Sequence, residues 1–283
     1  MAVFKGNGVE LFYEVRGSGQ PVVFVHGSLC DYRSWSVQAE AMSSRFKTVA
    51  YSRRYAFPNI RQGDVMDSTV QNNAADLAAL MGGLGIERPH VVGHSYGGFI
   101  AAFFAIQYPG LLRSLTLVNA AVGGMVVPDN RPATQLGLLL RHPRVALSAR
   151  RLLNGTKATV KGVDGGDPEV ANRVFVPALQ NARTDLPKKP EGFSKAVTDN
   201  ARTVKETTTP FPLVTRREAG GIKTPALVLW GELSAPWDSM ISRRLSESIP
   251  GCESAEIRGS GHFCLNERPA EVSERIASFL ETH

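Results

Sequence analysis

Short, wholly apolar runs alternate along much of the chain with longer segments whose apolar positions recur at three- and four-residue steps. Val22 to Val25 is such a run, preceded by the turn Gly17-Ser18-Gly19-Gln20-Pro21, and it reads as a strand buried on both faces of a parallel sheet. Val9 to Val15 alternates instead, which predicts an outer strand. Further strands are predicted at Thr48 to Tyr51, around Val91, at Leu115 to Val118, at Ala226 to Trp230 and at Ser254 to Ile257. Between them lie helical patterns at Asp31 to Phe46, Ser68 to Leu84, Tyr96 to Tyr108, Trp237 to Ile249 and Ala270 to Leu280. The second is the clearest: Val70, Ala74, Leu77, Ala78 and Met81 share one face, Ser68 can cap the start, and Gly82-Gly83 can end it. Strand and helix in alternation predict an α/β fold with a mostly parallel, doubly wound sheet.

The rhythm breaks from about Ala121 to Lys223. This stretch holds nine prolines between Pro128 and Pro212, a turn-rich patch at Gly162 to Pro168, and helix-like pieces around Gln135 to Leu153 and Glu191 to Glu206. It predicts a mainly helical insertion after the sixth strand, residues 121–223, set on a core of residues 1–120 and 224–283.

One turn carries chemistry. Val91-Val92 leads into Gly93-His94-Ser95-Tyr96-Gly97, a G-x-S-x-G sequence, and then into an Ala-rich apolar helix. A strand that reverses into a helix within a few residues crowds its backbone, so flanking glycines allow close approach while the Ser takes a strained conformation. Its hydroxyl is thereby exposed at a helix N-terminus, where the Tyr96 amide and the helix dipole can stabilise an anion forming on a carbonyl. Ser95 is thus a candidate nucleophile.

Composition adds limits. A chain of 283 residues with 43% hydrophobic content can bury a large core. Met1 to Gly8 has no charged-then-apolar leader and no apolar run approaches the length of a membrane span, so a cytoplasmic protein is expected. Cys30, Cys252 and Cys264 fit neither a disulfide framework nor a CxxC metal site; reduced thiols are expected, with Cys30 and Cys264 as buried packing near the site. The formal charge of +6 is uneven: Val122 to Gly221 holds ten Arg and six Lys against nine acids. A basic surface there would favour anionic substrates, or it is simply solvated. The positive charges do not interleave with aromatics, so no nucleic-acid partner is expected.

Four motifs in this order, FVHGS at 24 to 28, VGHSYGG at 92 to 98, VLWGE at 228 to 232 and GSGHF at 259 to 263, resemble the α/β-hydrolase family over nearly the whole chain outside the insertion. The resemblance implies the α/β-hydrolase fold, with residues 121–223 as a cap forming most of the substrate pocket. It implies Ser95 as nucleophile and His262 as the base that takes and returns its proton. His262 also stands in a Gly-bounded loop after a predicted strand, where it can reach a cleft at the strands' carboxyl ends. His26 resembles the family's structural His, and Ser28 would offer an oxyanion amide beside that of Tyr96. His94 and Tyr96 are expected to line the pocket, or for Tyr96 to pack.

The third member of a triad is a carboxylate, and the family usually places it three residues after the Gly that follows the seventh core strand. Here that Gly is Gly231 and the position holds Ser234; the alternative position after the sixth strand holds Asn119. Three readings stay open: Asn119 or Ser234 orients His262 by hydrogen bonding, Glu232 or Asp238 supplies the charge, or the reaction is not hydrolytic. Asn119 is the leading assignment. After the Thr48 strand, where relatives carry an Asp-x-Arg-Gly-like turn, Arg53 alone matches; Tyr55 and Phe57 are candidates to wall a pocket.

The expected function is hydrolysis of an ester, lactone or thioester of a small hydrophobic, aromatic or anionic substrate. Alternatives are a lyase or cyclase acting on a polyketide-like metabolite, and a binding protein that has lost turnover. No organic cofactor and no metal are expected, since nothing resembles a GxGxxG, a P-loop or a His/Asp ligand cluster. A monomer or weak homodimer is expected.

Overall fold

The structure, a computed structural model, describes residues 2–59, 65–126 and 132–283. Pro128 of the proline-rich stretch lies outside the described residues.

Eight strands form one sheet: β1 Ala2–Gly6, β2 Val9–Arg16, β3 Pro21–Val25, β4 Lys47–Tyr51, β5 His90–His94, β6 Ser114–Val118, β7 Ala226–Gly231 and β8 Glu253–Ile257. Their order is β1-β2-β4-β3-β5-β6-β7-β8. From β4 to β8 every pairing is parallel; β2 joins β4 antiparallel, and β1 closes the edge as a hairpin with β2. This is the α/β-hydrolase architecture that the motifs imply. The first strand was not expected. Its signal is local: Asn7-Gly8, both at positive φ (49° and 72°), makes the tight turn that joins two strands in a hairpin.

The helices are α1 Ser36–Met42, α2 Val70–Gly83, α3 Tyr96–Gln107, α4 Pro132–Arg141, α5 Pro143–Asp164, α6 Val176–Leu179, α7 Phe193–Asp199, α8 Arg216–Ala219, α9 Pro236–Ser248, α10 Cys264–Glu267 and α11 Pro269–Thr282. The helix expected over Asp31 to Phe46 is shorter, a 3₁₀ turn at Tyr32–Trp35 followed by α1, and Asp31 caps its start by accepting from the Arg33 amide. The stretch Glu191 to Glu206, expected to be helix-like, divides into α7 and a 3₁₀ helix at Ala201–Thr208.

Strand alternation sorts the core into two layers. Val23, Val25, Val49 and Val91 face α2, α3 and α9 through Leu77, Ile100 and Leu245. Val22, Phe24, Ala50 and Val92, one residue out of step, face α1 and α11 through Met42, Ile276 and Leu280. Both faces being covered explains why the central strands are apolar throughout. Because β3 to β7 run parallel, their carboxyl ends deliver Ser28, Ser95, Asn119 and the loop at 232–235 that leads into α9 to one edge. The segment between β6 and β7 carries α4 to α8, with irregular stretches at 180–192 and 209–215. Among the described residues no helix is long and apolar enough to cross a membrane.

Packing is close where β5 turns into α3. A Cβ on Gly97 would stand 2.2 Å from the Val25 carbonyl oxygen and 2.4 Å from that of His26. Gly97→Ala is therefore expected to lower stability by about 1–3 kcal/mol through overpacking, read as a drop in denaturation midpoint with β3 displaced. A midpoint equal to the parent's would show that β3 and α3 can part without cost.

Candidate active site

Ser95 sits between β5 and α3 with φ 52° and ψ −118°. A residue bearing a Cβ is strained there. The fold holds it: the Ser95 amide donates to the Val118 carbonyl at 3.0 Å, and the Ser95 carbonyl accepts from the amides of Phe99 at 3.1 Å and Ala121 at 3.0 Å. The side chain is left with no choice but to point away from the sheet.

His262 comes from the loop after β8. Its Nε2 stands 2.9 Å from Ser95 Oγ. Its Nδ1 stands 2.7 Å from Oδ2 of Asp238, and both residues are fully buried. A carboxylate oxygen only accepts, so Nδ1 carries the proton and the Nε2 lone pair faces the serine hydroxyl. Such a line can draw the proton from the hydroxyl and stabilise the imidazolium that forms.

The expectation for Asn119 is corrected by this geometry. Asp238, and not Asn119, meets the far nitrogen of His262; Asn119 stands one bond further back, its Nδ2 donating to Asp238 Oδ2 at 2.8 Å and to Ser234 Oγ at 2.9 Å. Asn119 Oδ1 accepts from the Gly231 amide at 3.3 Å and the Cys264 thiol at 3.2 Å, so the amide ties β7 to the site. Glu232 turns elsewhere and accepts from the Gly259 amide at 2.9 Å. Asp238 lies in the first turn of α9 behind Pro236, where the helix dipole favours a negative charge. That placement was the available signal: an acid just inside a Pro-started helix, further from Gly231 than the usual spacing.

His94 and His26 hold backbone in place. His94 Nε2 donates to the backbone carbonyl of His262 at 2.9 Å and so fixes the loop that carries His262. Burial, then the proximity of His262, push its pKa down to about 3. His26 Nδ1 donates to Gly27 O at 2.8 Å while Nε2 accepts from the Arg53 amide at 2.9 Å; burial holds its pKa well below the ordinary value. Burial pushes the Cys30 thiol up to about 12, which keeps it protonated.

Arg53 does more than shape a turn. It is buried and forms a two-pronged ion pair with Glu206 of the 3₁₀ helix, at 2.9 and 2.7 Å. It also donates to the carbonyls of His26 at 3.0 Å and Gly27 at 3.1 Å. Its guanidinium lies 5.1 Å from the Tyr96 ring centroid. Glu206 was missed because nothing around it separates it from a surface acid.

Ser95 and His262 open on a cavity of about 580 Å³, together with Ser28, His94 and Tyr96. Its walls include Leu138, Leu152, Phe175, Phe211, Trp237 and Phe263, with Lys157 as its cation. Tyr55 and Phe57 are not among them; Phe57 lies under the Arg33 guanidinium at 4.4 Å. Among the described residues no cluster of His, Cys, Asp or Glu is gathered to hold a metal ion.

A model of the alpha/beta hydrolase family matches residues 22–275. The chain belongs to that family. Carboxylesterase YbfK of Bacillus subtilis is 25% identical over 268 residues, 92% of this chain and 79% of that protein. Its crystal structure superposes with a TM-score of 0.74 at 17% identity over 99% of this chain and 90% of the other. Epoxide hydrolase 3 of Mus musculus is 24% identical over 98% of this chain and 75% of its own. A shorter match, 32% identical to the RutD protein of Azorhizobium caulinodans, spans 40% of this chain and 42% of that protein. This alpha/beta hydrolase is thus a hydrolase of that fold, with esterase and epoxide hydrolase relatives.

The buried histidines predict a pH dependence. Unfolded, His94 titrates near about 6.5, whereas folded it holds out to about 3, so below about pH 6.5 only the unfolded chain takes up the proton. Unfolding free energy should fall by about 1.4 kcal/mol per pH unit for this group as pH drops from about 6.5. His90, pushed down to about 4 by burial, adds in the same direction. Guanidinium denaturation at pH 7 and pH 5 measures the slope, and His94→Asn should reduce it; an unchanged slope in that variant would refute the assignment.

Proposed function

We propose that this alpha/beta hydrolase is a serine esterase acting on apolar carboxylic esters, with Ser95, His262 and Asp238 as its triad. The observation that carries the reading is the unbroken buried line from Ser95 Oγ through the imidazole to Asp238 Oδ2, at 2.9 and 2.7 Å. As His262 Nε2 takes the hydroxyl proton, Ser95 Oγ attacks the acyl carbon, and the carbonyl oxygen becomes an oxyanion. The Tyr96 amide, first in α3 and so without an intrahelical acceptor, and the Ser28 amide donate to it. Collapse expels the alcohol with the proton from His262; water repeats the sequence on the acyl-enzyme and frees the acid.

The case for a lyase or cyclase rested on a missing carboxylate, and Asp238 removes that reason. The apolar walls fit a hydrocarbon acyl or alcohol group, and Lys157 would meet an anionic end. The esterase relative supports this reading better than the epoxide hydrolase, because a hydroxyl nucleophile facing two amide donors suits a carbonyl centre. We further propose that residues 121–223 act as the cap, since they supply most of the cavity wall.

On p-nitrophenyl butyrate, Ser95→Ala and His262→Ala should abolish the burst and the turnover. Asp238→Asn should keep the fold and lower kcat by about 10⁴-fold, through loss of the tautomer and of the charge facing the imidazolium. Asn119→Ala should cost far less. Turnover that survives Ser95→Ala would sink the proposal.

A further inference from the structure

The helical segment meets the loop after β3 along a single row. Residues Ala201–Thr208 wind as a 3₁₀ helix, three residues per turn, so side chains three apart eclipse one another. Asn200, Thr203 and Glu206 stand at that spacing and are all buried. Each meets a different residue of the loop. Asn200 Nδ2 donates to Asp31 Oδ2 at 2.6 Å, Thr203 Oγ1 accepts from the Leu29 amide at 2.9 Å, and Glu206 Oε1 accepts from Ser28 Oγ at 2.8 Å. In an α-helix the first and last of these would point roughly 120° apart, and one turn could not serve the whole loop. The tighter winding is what makes the row.

The loop needs holding. It has no regular structure between β3 and the 3₁₀ turn at Tyr32, and Leu29 sits at φ 56°, a strained value for a branched side chain. From the opposite side Arg53 grips the carbonyls of His26 and Gly27 while it neutralises Glu206. Ser68 Oγ donates to Glu206 Oε2 at 2.8 Å, which fixes the carboxylate's second oxygen. Ser28 is therefore clamped at its neighbours on both sides and at its own hydroxyl.

We propose that Asn200, Thr203 and Glu206 form a splint that aims the Ser28 amide at the acyl oxygen, which makes them positioning residues. This rests on reading Ser95 as the nucleophile and Ser28 as an oxyanion donor. On it, a helical segment more than a hundred residues away in sequence completes the oxyanion site when it is seated on the sheet.

Two mild variants test it, Thr203→Val and Ser28→Ala, with Thr203→Ser as the conservative control. Losing an oxyanion donor outright costs about 10²–10³-fold in rate, so a mis-aimed one should cost about tenfold in kcat on p-nitrophenyl butyrate with KM little changed. Inhibition by phenylboronic acid, whose Ser95 adduct mimics the tetrahedral state, should weaken in proportion, and Thr203→Ser should restore most of both. Unchanged kcat and boronate affinity in both variants, with only a lower melting temperature, would overturn the proposal and leave the row as simple glue between segments. Should Ser95→Ala show that the parent's turnover does not depend on Ser95, the nucleophile reading fails by itself. Amide exchange over residues 26–31 then decides the splint: faster in Thr203→Val sustains it, unchanged overturns it.

Discussion

The strained turn between β5 and α3 is the constraint on which the site depends. Ser95 can occupy φ 52° only because its amide and carbonyl are bonded to Val118, Phe99 and Ala121, and because Gly97 lets α3 approach the Val25 and His26 carbonyls. The strain is held by a sheet whose two faces are fully packed, so it cannot relax by moving one strand. The result is a hydroxyl whose direction is set before any substrate arrives.

Behind it the buried polar groups form a chain joined by hydrogen bonds. Asp238 is enclosed, and a buried carboxylate is costly unless donors surround it. His262 Nδ1 and Asn119 Nδ2 both donate to its Oδ2, and its place in the first turn of α9 sets it at the positive end of the helix dipole. Asn119 is then tied to Ser234, the Gly231 amide and Cys264, so the polar network reaches into β7 and α10. His94, neutral through burial, completes the frame by holding the His262 backbone. These bonds converge on one edge of the Asp238 carboxylate, Oδ2, while Oδ1 is buried without a hydrogen-bond partner among the described residues.

The Arg53–Glu206 pair joins the sheet to the helical segment by a different logic. Two charges removed from water contribute little net stability, but leaving either alone would be strongly unfavourable. The pair therefore specifies where the segment sits more than how firmly. Since Arg53 also bonds to the carbonyls of His26 and Gly27, and Glu206 to the Ser28 hydroxyl, seating and site geometry are expressed through the same few atoms.

What the chain made legible by itself was local. Apolar runs, the G-x-S-x-G turn and the Gly-bounded His262 loop specify strands, a sharp bend and an imidazole able to reach a cleft, because each depends on residues within a few positions of one another. The motifs that resemble the α/β-hydrolase family extended that to the fold. The Asn7-Gly8 hairpin was equally local and was there to be read. The partner of His262 was not, because Asn119, Ser234, Glu232 and Asp238 all follow the ends of neighbouring strands, and only the direction of α9 decides which carboxylate faces the ring. Glu206 lies 153 residues from Arg53, and nothing nearby marks it as buried. Which polar groups meet in the interior is fixed by how helices cross a sheet, and that is a property of tertiary packing.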